Sequence, residues 1–467
     1  MFMKTLKIVL LLLWSSQLLA QTKQPNVVFI LADDLGINAL GCYGNEYVET
    51  PNIDKLAEEG MRFTNGYSND PTCAPSRASI MTGQYVPRHK IYRVSDRFKS
   101  DEKTLKHMRF LPPENNRPDG KTVGLSLEQI ILPEAFNQNN YTSAGFGKWH
   151  LGSKKLGMDQ QGFSEAIETK GHYQFKSFPQ QDDILENEYN ADYTTQKGID
   201  FMKRQVANHQ PFFLYMPYYL VHKPLEPKPE TFAYFKEKYQ MEDEVTNVLA
   251  MIKNLDESVG DLLNAIKELG IEEETIVVFT SDNGHYKTDN GMFNKPYRGY
   301  KGNTLEGGIR VPYIFKYPKA ISPSTVSELP IIHVDIYPTL IGLSGNNLPK
   351  EQVIDGVDIS SELKGDKHVL KDRILVWQYT NYSRYKPKTK TFNSEWVNVI
   401  QYKGYKMTEY VESGKKILFN LNEDPFEERE ISHTSTEIIK ELTVLLENWK
   451  KETSSEQPKE NSKFINQ

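Results

Sequence analysis

Residues 26–36 read NVVFILADDLG, an uninterrupted apolar run that ends in two carboxylates and a glycine. Such a run, without polar alternation, is typical of a buried parallel strand. Asp33 and Asp34 would then lie at the carboxyl end of that strand, where open α/β sheets bind ligands. Two adjacent carboxylates at a strand end cost free energy unless they are solvated or neutralised, so a hard divalent cation is the natural partner. The alternative interpretation is an Asx-capped turn.

The same pattern returns at residues 275–284, which read TIVVFTSDNG. Here a second apolar strand is followed by Asp282 and Asn283 where the chain turns. An all-oxygen set that combines these two residues with Asp33 and Asp34 suits calcium better than zinc, which favours nitrogen and sulfur ligands. Magnesium remains possible, because ligand number and cavity size are not visible in a sequence.

A third string, CAPSRASIMTG at residues 73–83, contains Cys73, one of the two cysteines of the chain. It places Arg77 four residues after the cysteine in a Cys-x-Pro-x-Arg frame. Two ordinary interpretations compete with a functional one. Cys73 could pair with Cys42 in a disulfide, or it could be a small buried hydrophobic residue.

Three further strings carry titratable residues in unusual surroundings. Residues 145–152 read GFGKWHLG, and Lys148 and His150 would project to the same side of an extended segment. His222 opens a His-Lys-Pro sequence, and Lys301 lies in RGYKGNTLEGGIRVP at residues 298–312. A lone lysine or histidine is usually a solvated surface residue or a core residue with its hydrogen bonds satisfied. Only the combination of these strings supports a functional interpretation.

Together these strings resemble the type I sulfatases, the formylglycine-dependent family of the alkaline phosphatase-like superfamily, and in particular a bacterial polysaccharide sulfatase. The resemblance implies that a formylglycine-generating or sulfatase-maturing enzyme oxidises Cys73 to Cα-formylglycine. One hydroxyl of the hydrated aldehyde would attack sulfur, and the second would expel the sulfate. It further implies roles for the quoted residues: Arg77 and Lys148 hold the hydrate, His150 takes its proton, His222 and Lys301 meet the ester oxygen, and Asp33, Asp34, Cys73, Asp282 and Asn283 bind Ca²⁺.

The fold that the resemblance implies is α/β: a large, mostly parallel sheet sandwiched by helices, with a smaller C-terminal antiparallel-sheet subdomain. Apolar residues between 248 and 269 follow helical spacing and predict a crossover helix that leads into the strand at 275. Strands are predicted at 373–379, 396–411 and 416–421, a final helix at 438–449, and a loop at 321–328. The predicted domains are 21–365 (catalytic) and 366–453 (C-terminal), with a disordered polar tail at 454–467.

Composition and the amino terminus bear on location and partners. The formal net charge of −6 argues against a general nucleic-acid binder. Residues 1–20 predict a secretory signal peptide, and Gln21 stands where a lipoprotein would carry its cysteine. We therefore expect a periplasmic or secreted protein without a stable membrane anchor.

The segment from residue 88 to residue 121 is basic, with ten Lys or Arg against five Asp or Glu. It could form a subsite for an anionic sugar polymer, although a solvated basic loop explains it equally well. The candidate substrate-binding residues are Arg88, His89, Arg93, Arg97 and Arg298.

The resulting function hypothesis is a sulfuric ester hydrolase acting on a sulfated oligo- or polysaccharide, such as ulvan, carrageenan or a glycosaminoglycan. A phosphoester or phosphonate-ester hydrolase of the same superfamily is one alternative. A catalytically inactive glycan-binding protein is another. The combination of Lys148, His150, His222 and Lys301 favours sulfate, because the related phosphatases lack most of these strings.

Overall fold

The computed structural model describes residues 24–94, 107–108, 124–288, 291–366, 370, 372–380, 385–386, 391–392, 396–411, 413–457 and 459–460. Its helices are α1 (Pro51–Glu58), α2 (Cys73–Thr82), α3 (Val86–His89), α4 (Leu132–Asn137), α5 (Asn190–Ala207), α6 (Pro229–Tyr239), α7 (Asp243–Glu268), α8 (Glu306–Ile309), α9 (Ile336–Leu343), α10 (Ser360–Leu363) and α11 (Thr436–Glu452). Its strands are β1 (Asn26–Ala32), β2 (Met61–Phe63), β3 (Gly66–Tyr67), β4 (His107–Met108), β5 (Thr142–Gly147), β6 (Glu165–Lys170), β7 (Lys176–Phe178), β8 (Phe212–Pro217), β9 (Thr275–Ser281), β10 (Tyr313–Lys316), β11 (Thr325–Ser327), β12 (Ile331–Ile332), β13 (Leu375–Tyr379), β14 (Tyr385–Lys386), β15 (Thr391–Phe392), β16 (Val397–Tyr402), β17 (Tyr405–Tyr410), β18 (Lys416–Asn420) and β19 (Lys459–Glu460).

The centre of the protein is a nine-stranded sheet with the order β11-β2-β10-β9-β1-β8-β5-β6-β7. The strands from β9 to β6 in this order are parallel, whereas β10 and β7 run antiparallel to their neighbours in that block. All residues of β1, β8 and β9 are buried. Their apolar runs without alternation reflect this double burial, because both faces of a parallel sheet are covered.

Alternate side chains of β1 pack into two separate cores. Val28 and Ile30 join residues of α1, α5 and α7 on one face. Phe29 and Leu31 join residues of α2, α4 and α9 on the other face. The side-chain period of two along a strand thus places helices on both sides of the sheet. The predicted fold class is confirmed, and α7 is the crossover helix expected before β9.

The C-terminal part forms a four-stranded antiparallel sheet with the order β13-β16-β17-β18. Helix α11 covers it with Leu442, Leu446 and Trp449, which pack in one cluster with Trp377. The same cluster contains Tyr67, Tyr85 and Ile332 from the earlier part of the chain. The antiparallel sheet is therefore joined to the larger unit through a shared apolar core.

One local prediction was wrong, and the prediction of a disordered tail at 454–467 stays a prediction. The segment 321–328, predicted as a loop, contains β11, which pairs with β2 at the end of the large sheet. Inside the tail predicted to be disordered, Lys459–Glu460 pair with His107–Met108. The remaining positions of that tail after 460, and the predicted signal peptide, lie outside the described residues. Among the helices that are described, none has the length and apolar character needed to cross a bilayer.

Candidate active site

Parallel strands deliver chemically active residues to one edge of the large sheet. In the register of β1 and β9, Ala32 lies opposite Ser281, so the residues that follow both strands emerge side by side. On the other flank of β1, the chain leaves β5 and β8 at the same edge, where the Lys148 amide donates to the Pro217 carbonyl at 2.7 Å. The residues brought to this edge are Asp33, Asp34, Lys148, His150, His222, Asp282 and Asn283.

Cys73 is the first residue of α2 and is buried against this edge. Its Sγ lies 3.5 Å from Asp33 Oδ1 and 3.8 Å from Asp34 Oδ1, and Lys301 Nζ donates to it at 3.2 Å. Burial and the negative charge of Asp282 raise the pKa of the thiol well above its ordinary value. Both cysteines of the chain are free, so the disulfide interpretation does not hold.

The acidic residues form a compact buried cluster. Asp33, Asp34, Cys73 and Asp282 each offer an atom, and these atoms lie within 4.8 Å of one another. Beside them the Asn283 Oδ1 atom is buried and accepts no hydrogen bond from any described residue. Asn283 itself contacts the cluster, since its Nδ2 donates to Asp34 Oδ1 at 2.8 Å, and its buried oxygen without a donor is suited to bind a hard cation. The five residues therefore fit one divalent ion of the calcium or magnesium class.

Three buried or half-buried cations face the three carboxylates. The nearest pairs are Arg77 with Asp282 at 2.8 Å, Lys301 with Asp34 at 2.6 Å, and Lys148 with Asp33. Burial alone would raise the pKa of Asp33, but Lys148, His222 and Arg77 lower it to about 2. Because three cations balance three carboxylates, a bound divalent ion would give the site the positive charge that an anionic ester needs.

His150 occupies a constrained backbone position, and its imidazole is neutral. Its φ of 62° is in the left-handed region, which non-glycine residues rarely adopt outside constrained sites. Burial, followed by the charges of Lys148 and Arg77, holds its pKa well below the ordinary value, so the imidazole is neutral. Its Nδ1 is buried and has no hydrogen-bond partner among the described residues. A neutral imidazole with a vacant nitrogen can take a proton.

Three histidines that the sequence did not single out support the site from behind. His172 Nε2 donates to the His222 carbonyl at 2.8 Å, and His285 Nδ1 donates to the Asp34 carbonyl at 2.6 Å. His333 Nε2 donates to the carbonyl of Ser281, immediately before Asp282, at 2.9 Å. His285 follows the Asp-Asn-Gly string directly, a signal that could have pointed to it. His172 and His333 stand in no recognisable motif.

Two of the residues predicted to bind substrate have polar partners within the protein. Arg88 Nε pairs with Asp355 Oδ1 at 2.7 Å. His89 is buried, its Nδ1 accepts the Ile91 amide at 3.1 Å, and its Nε2 therefore donates to Ser79 Oγ at 3.0 Å. The basic composition of residues 88–121 could not show that these two side chains have partners within the protein.

All five substrate-binding assignments stay predictions, and the other three residues differ in their surroundings. Arg298 is exposed, although its guanidinium donates to the Glu427 carbonyl. Arg93 is half-buried at the end of the described stretch, and Arg97 lies outside the described residues.

Acid should destabilise the protein through His89. Burial lowers its pKa to about 3 from the ordinary 6.5. Between those two pH values only the unfolded chain binds the proton. The contribution of neutral His89 to the free energy of unfolding is therefore complete above pH 6.5 and is lost as the pH falls. At pH 5 the loss is roughly 2 kcal/mol. In thermal unfolding, we expect His89→Gln to flatten the decline of the midpoint between pH 7 and pH 5. Exposed His209→Gln is the control, and an unchanged decline in His89→Gln would contradict the argument.

Comparison with known proteins agrees with this geometry. The profile of the sulfatase family matches residues 25–346, and that of the N-sulphoglucosamine sulphohydrolase C-terminal region matches residues 296–452. N-acetylgalactosamine-6-sulfatase of Canis lupus familiaris is 29% identical, with 94% of this chain and 88% of that protein covered. A sulfatase of Formosa agariphila is 30% identical, with 80% of each covered.

Solved structures show the same likeness. The crystal structure of Ps i-CgsB is similar with a TM-score of 0.77 and 25% identity, covering 91% of this chain and 92% of that chain. The family profile spans more than half of the sequence, and the matched part contains Cys73 and the whole acidic edge. The chain belongs to the sulfatase family of the alkaline phosphatase-like superfamily and is a sulfuric ester hydrolase.

Proposed function

We propose that this sulfatase removes sulfate from a sulfated glycan, with residue 73 as the nucleophile after oxidation of Cys73 to formylglycine. The observation that carries the proposal is the meeting of Lys301 Nζ, Cys73 Sγ and two carboxylates within 3.8 Å of that sulfur. An ordinary thiol in this position would be protonated, because burial raises its pKa. A protonated thiol is a poor nucleophile, so the surroundings favour a modified residue.

The Cys73 sulfur marks the place where the oxygens of the modified residue would lie. The hydrated aldehyde supplies one hydroxyl that attacks sulfur and a second whose deprotonation lets the carbonyl re-form and release sulfate. Lys148 and Arg77 are fixed by buried carboxylates and can hold those oxygens by charge-assisted hydrogen bonds. His150, neutral and with Nδ1 unpaired among the described residues, is suited to take the proton of the second hydroxyl.

Lys301 and His222 converge on Asp34 and are suited to the leaving oxygen. Lys301 Nζ lies 2.6 Å from Asp34 Oδ1, and His222 Nε2 lies 4.0 Å from Asp34 Oδ2. When the sulfur–oxygen bond breaks, its electron pair stays on the alcohol oxygen, which needs a proton or a nearby cation. An alkoxide of a sugar is strongly basic, so this assistance matters most for glycan esters.

The acidic edge would hold one divalent ion, most simply Ca²⁺. Asp33, Asp34, Asp282 and Asn283, together with the modified residue 73, are the ligands that we propose. When bound, such an ion neutralises charge on the sulfate group and polarises its oxygens. The cluster of buried carboxylates and the Asn283 oxygen without a donor among the described residues support this assignment.

A glycan is the substrate class that the similar proteins suggest. One relative is named N-acetylgalactosamine-6-sulfatase, and a second structure of Ps i-CgsB holds k-i-k-neocarrahexaose. We extend that class to this chain: a sulfated oligo- or polysaccharide such as a carrageenan, an ulvan or a glycosaminoglycan. The predicted signal peptide would bring the enzyme to such polymers outside the cytoplasm, after a maturation enzyme has acted on Cys73.

A desulfation panel tests the proposal. The matured enzyme is incubated with sulfated carrageenan, ulvan and glycosaminoglycan oligosaccharides, an aryl sulfate, a phosphate monoester and a phosphonate monoester. We expect sulfate release from at least one oligosaccharide, with kcat/KM at least about 100-fold above that for either phosphorus ester. Faster cleavage of the phosphonate would favour the alternative hydrolase, and glycan binding without release of sulfate would favour an inactive binding protein.

A further inference from the structure

Lys301 stands at the tip of a closed loop, residues 298–307. The amide of Gly307 donates to the Arg298 carbonyl at 2.6 Å and closes the loop at its base. At the tip the amide of Lys301 donates to the His285 carbonyl, and the amide of Gly302 donates to the Pro71 carbonyl, both at 2.9 Å. The loop therefore fixes the direction from which the Lys301 ammonium approaches Cys73.

The base of this loop carries a buried carboxylate, Glu306, which is fully enclosed. Its Oε1 accepts from Lys406 Nζ at 2.8 Å, and its Oε2 accepts from Tyr67 Oη at 3.0 Å and from Arg310 at 3.1 Å. Lys406 belongs to β17 in the C-terminal antiparallel sheet. The loop that presents Lys301 is thus anchored in the other sheet of the protein.

Glu427, which follows β18, connects both ends of the loop base. Its carbonyl accepts from Arg298, and its carboxylate accepts the Glu306 amide at 2.8 Å and pairs with Lys406 Nζ at 2.9 Å. Its own φ is 58°, in the left-handed region that non-glycine residues rarely occupy. One residue of the C-terminal part therefore contacts the first residue and the ninth residue of the loop.

The network is balanced in charge and enclosed. Lys406 and Glu427 have side chains 1% exposed, and the side chain of Glu306 is 0% exposed. With Arg310 the group contains two cations and two anions. Replacing a buried ionic network with apolar side chains of similar volume is often neutral for stability. We therefore expect this network to contribute a defined geometry at the loop base rather than stability. Here that geometry belongs to a loop whose tip bears a residue of the active site.

We propose that Lys406 and Glu427 are positioning residues for Lys301, through which the C-terminal sheet controls protonation or stabilisation of the leaving alcohol. The inference rests on the proposed role of Lys301 at the ester oxygen. If the loop base loosens, the ammonium still exists but no longer holds its place beside residue 73. A misplacement of this kind affects only the step that uses the ammonium.

A series of aryl sulfates whose phenols differ in acidity separates this effect from a loss of folded enzyme. Log kcat/KM is plotted against the pKa of the leaving phenol for the unchanged enzyme and for Lys406→Met, Glu427→Gln and Lys301→Ala. The slope does not depend on the fraction of active protein. Lys450→Met is the matched control, because Lys450 pairs with Glu409 at 2.7 Å and with Glu447 at 2.8 Å, both within the C-terminal part and outside the loop.

We expect Lys406→Met to steepen the slope in the same direction as Lys301→Ala. It should lower kcat/KM for the least acidic phenol by about tenfold or more, and for nitrophenyl sulfate by less than about threefold. Glu427→Gln keeps an oxygen for the Glu306 amide and should show the same change, smaller in size. Lys450→Met should keep the original slope.

The possible failures are distinguishable. If Lys301→Ala steepens the slope while Lys406→Met and Glu427→Gln leave it unchanged, the positioning role is wrong and the proposed role of Lys301 stands. If Lys301→Ala itself leaves the slope unchanged, its role at the leaving oxygen is wrong, and the inference falls with it. A steeper slope in Lys450→Met would show a general effect of the C-terminal part and would also overturn the inference.

Discussion

Cys73→Ala should abolish multiple turnover, with a loss of kcat on an aryl sulfate of at least about a thousandfold. The reason is that the remaining cations can bind the sulfate group but no atom is left to attack sulfur. Sulfate release measured by ion chromatography gives the rate. Peptide mapping of the active enzyme across residue 73 should show an aldehyde or its hydrate in place of the thiol.

Two further variants make this result specific. Cys73→Ser keeps an oxygen nucleophile but has no second hydroxyl, so it should release at most one equivalent of alcohol and then stop with a sulfate ester. Cys42→Ala should retain full activity, because Cys42 lies after β1 and its amide contacts Asp54 rather than the acidic edge. Full activity in a preparation whose residue 73 is entirely unmodified thiol would contradict the proposed nucleophile.

The fold and the acidic edge could be predicted from the sequence because both depend on local patterns. The apolar runs before Asp33 and Asp282 predict parallel strands, and neighbouring parallel strands end at the same edge. The observed register, with Ala32 beside Ser281, is what brings those two acids together. The antiparallel direction of β10 was not predictable, since a short buried run reads alike in either direction.

What the sequence could not supply were contacts between distant segments. Glu306 and Lys406 are separated by a hundred positions and meet at 2.8 Å only because the two sheets pack together. His89 lies in the basic segment that was considered as a sugar subsite, but its side chain occupies an interior position beside α2. Burial of this kind depends on the assembled tertiary structure, which no motif of a few residues records.

Asp282→Asn should remove the divalent ion and lower kcat/KM by about 100-fold or more. The carboxylate belongs to the cluster whose atoms lie within 4.8 Å of one another, and it also pairs with Arg77 at 2.8 Å. The asparagine amide keeps the shape of the side chain but removes the negative charge that stabilises both the divalent ion and the Arg77 guanidinium. Elemental analysis should find one equivalent of calcium in the unchanged protein and little in the variant.

Asp256→Asn is the matched control, because Asp256 is an equally buried carboxylate that holds the amides of Asn52 and Ile53 at the start of α1. It should lower stability while leaving the bound ion and the rate per folded molecule unchanged.

Chelation, followed by titration with Ca²⁺ or Mg²⁺, then identifies the ion as the one that restores activity. Stoichiometric zinc, or full activity after complete chelation, would rule out the all-oxygen site. Because three cations already balance the three carboxylates, a site that worked without an ion would have to bind the sulfate ester with no excess positive charge. Loss of activity on chelation is therefore the outcome that the charge balance of this edge requires.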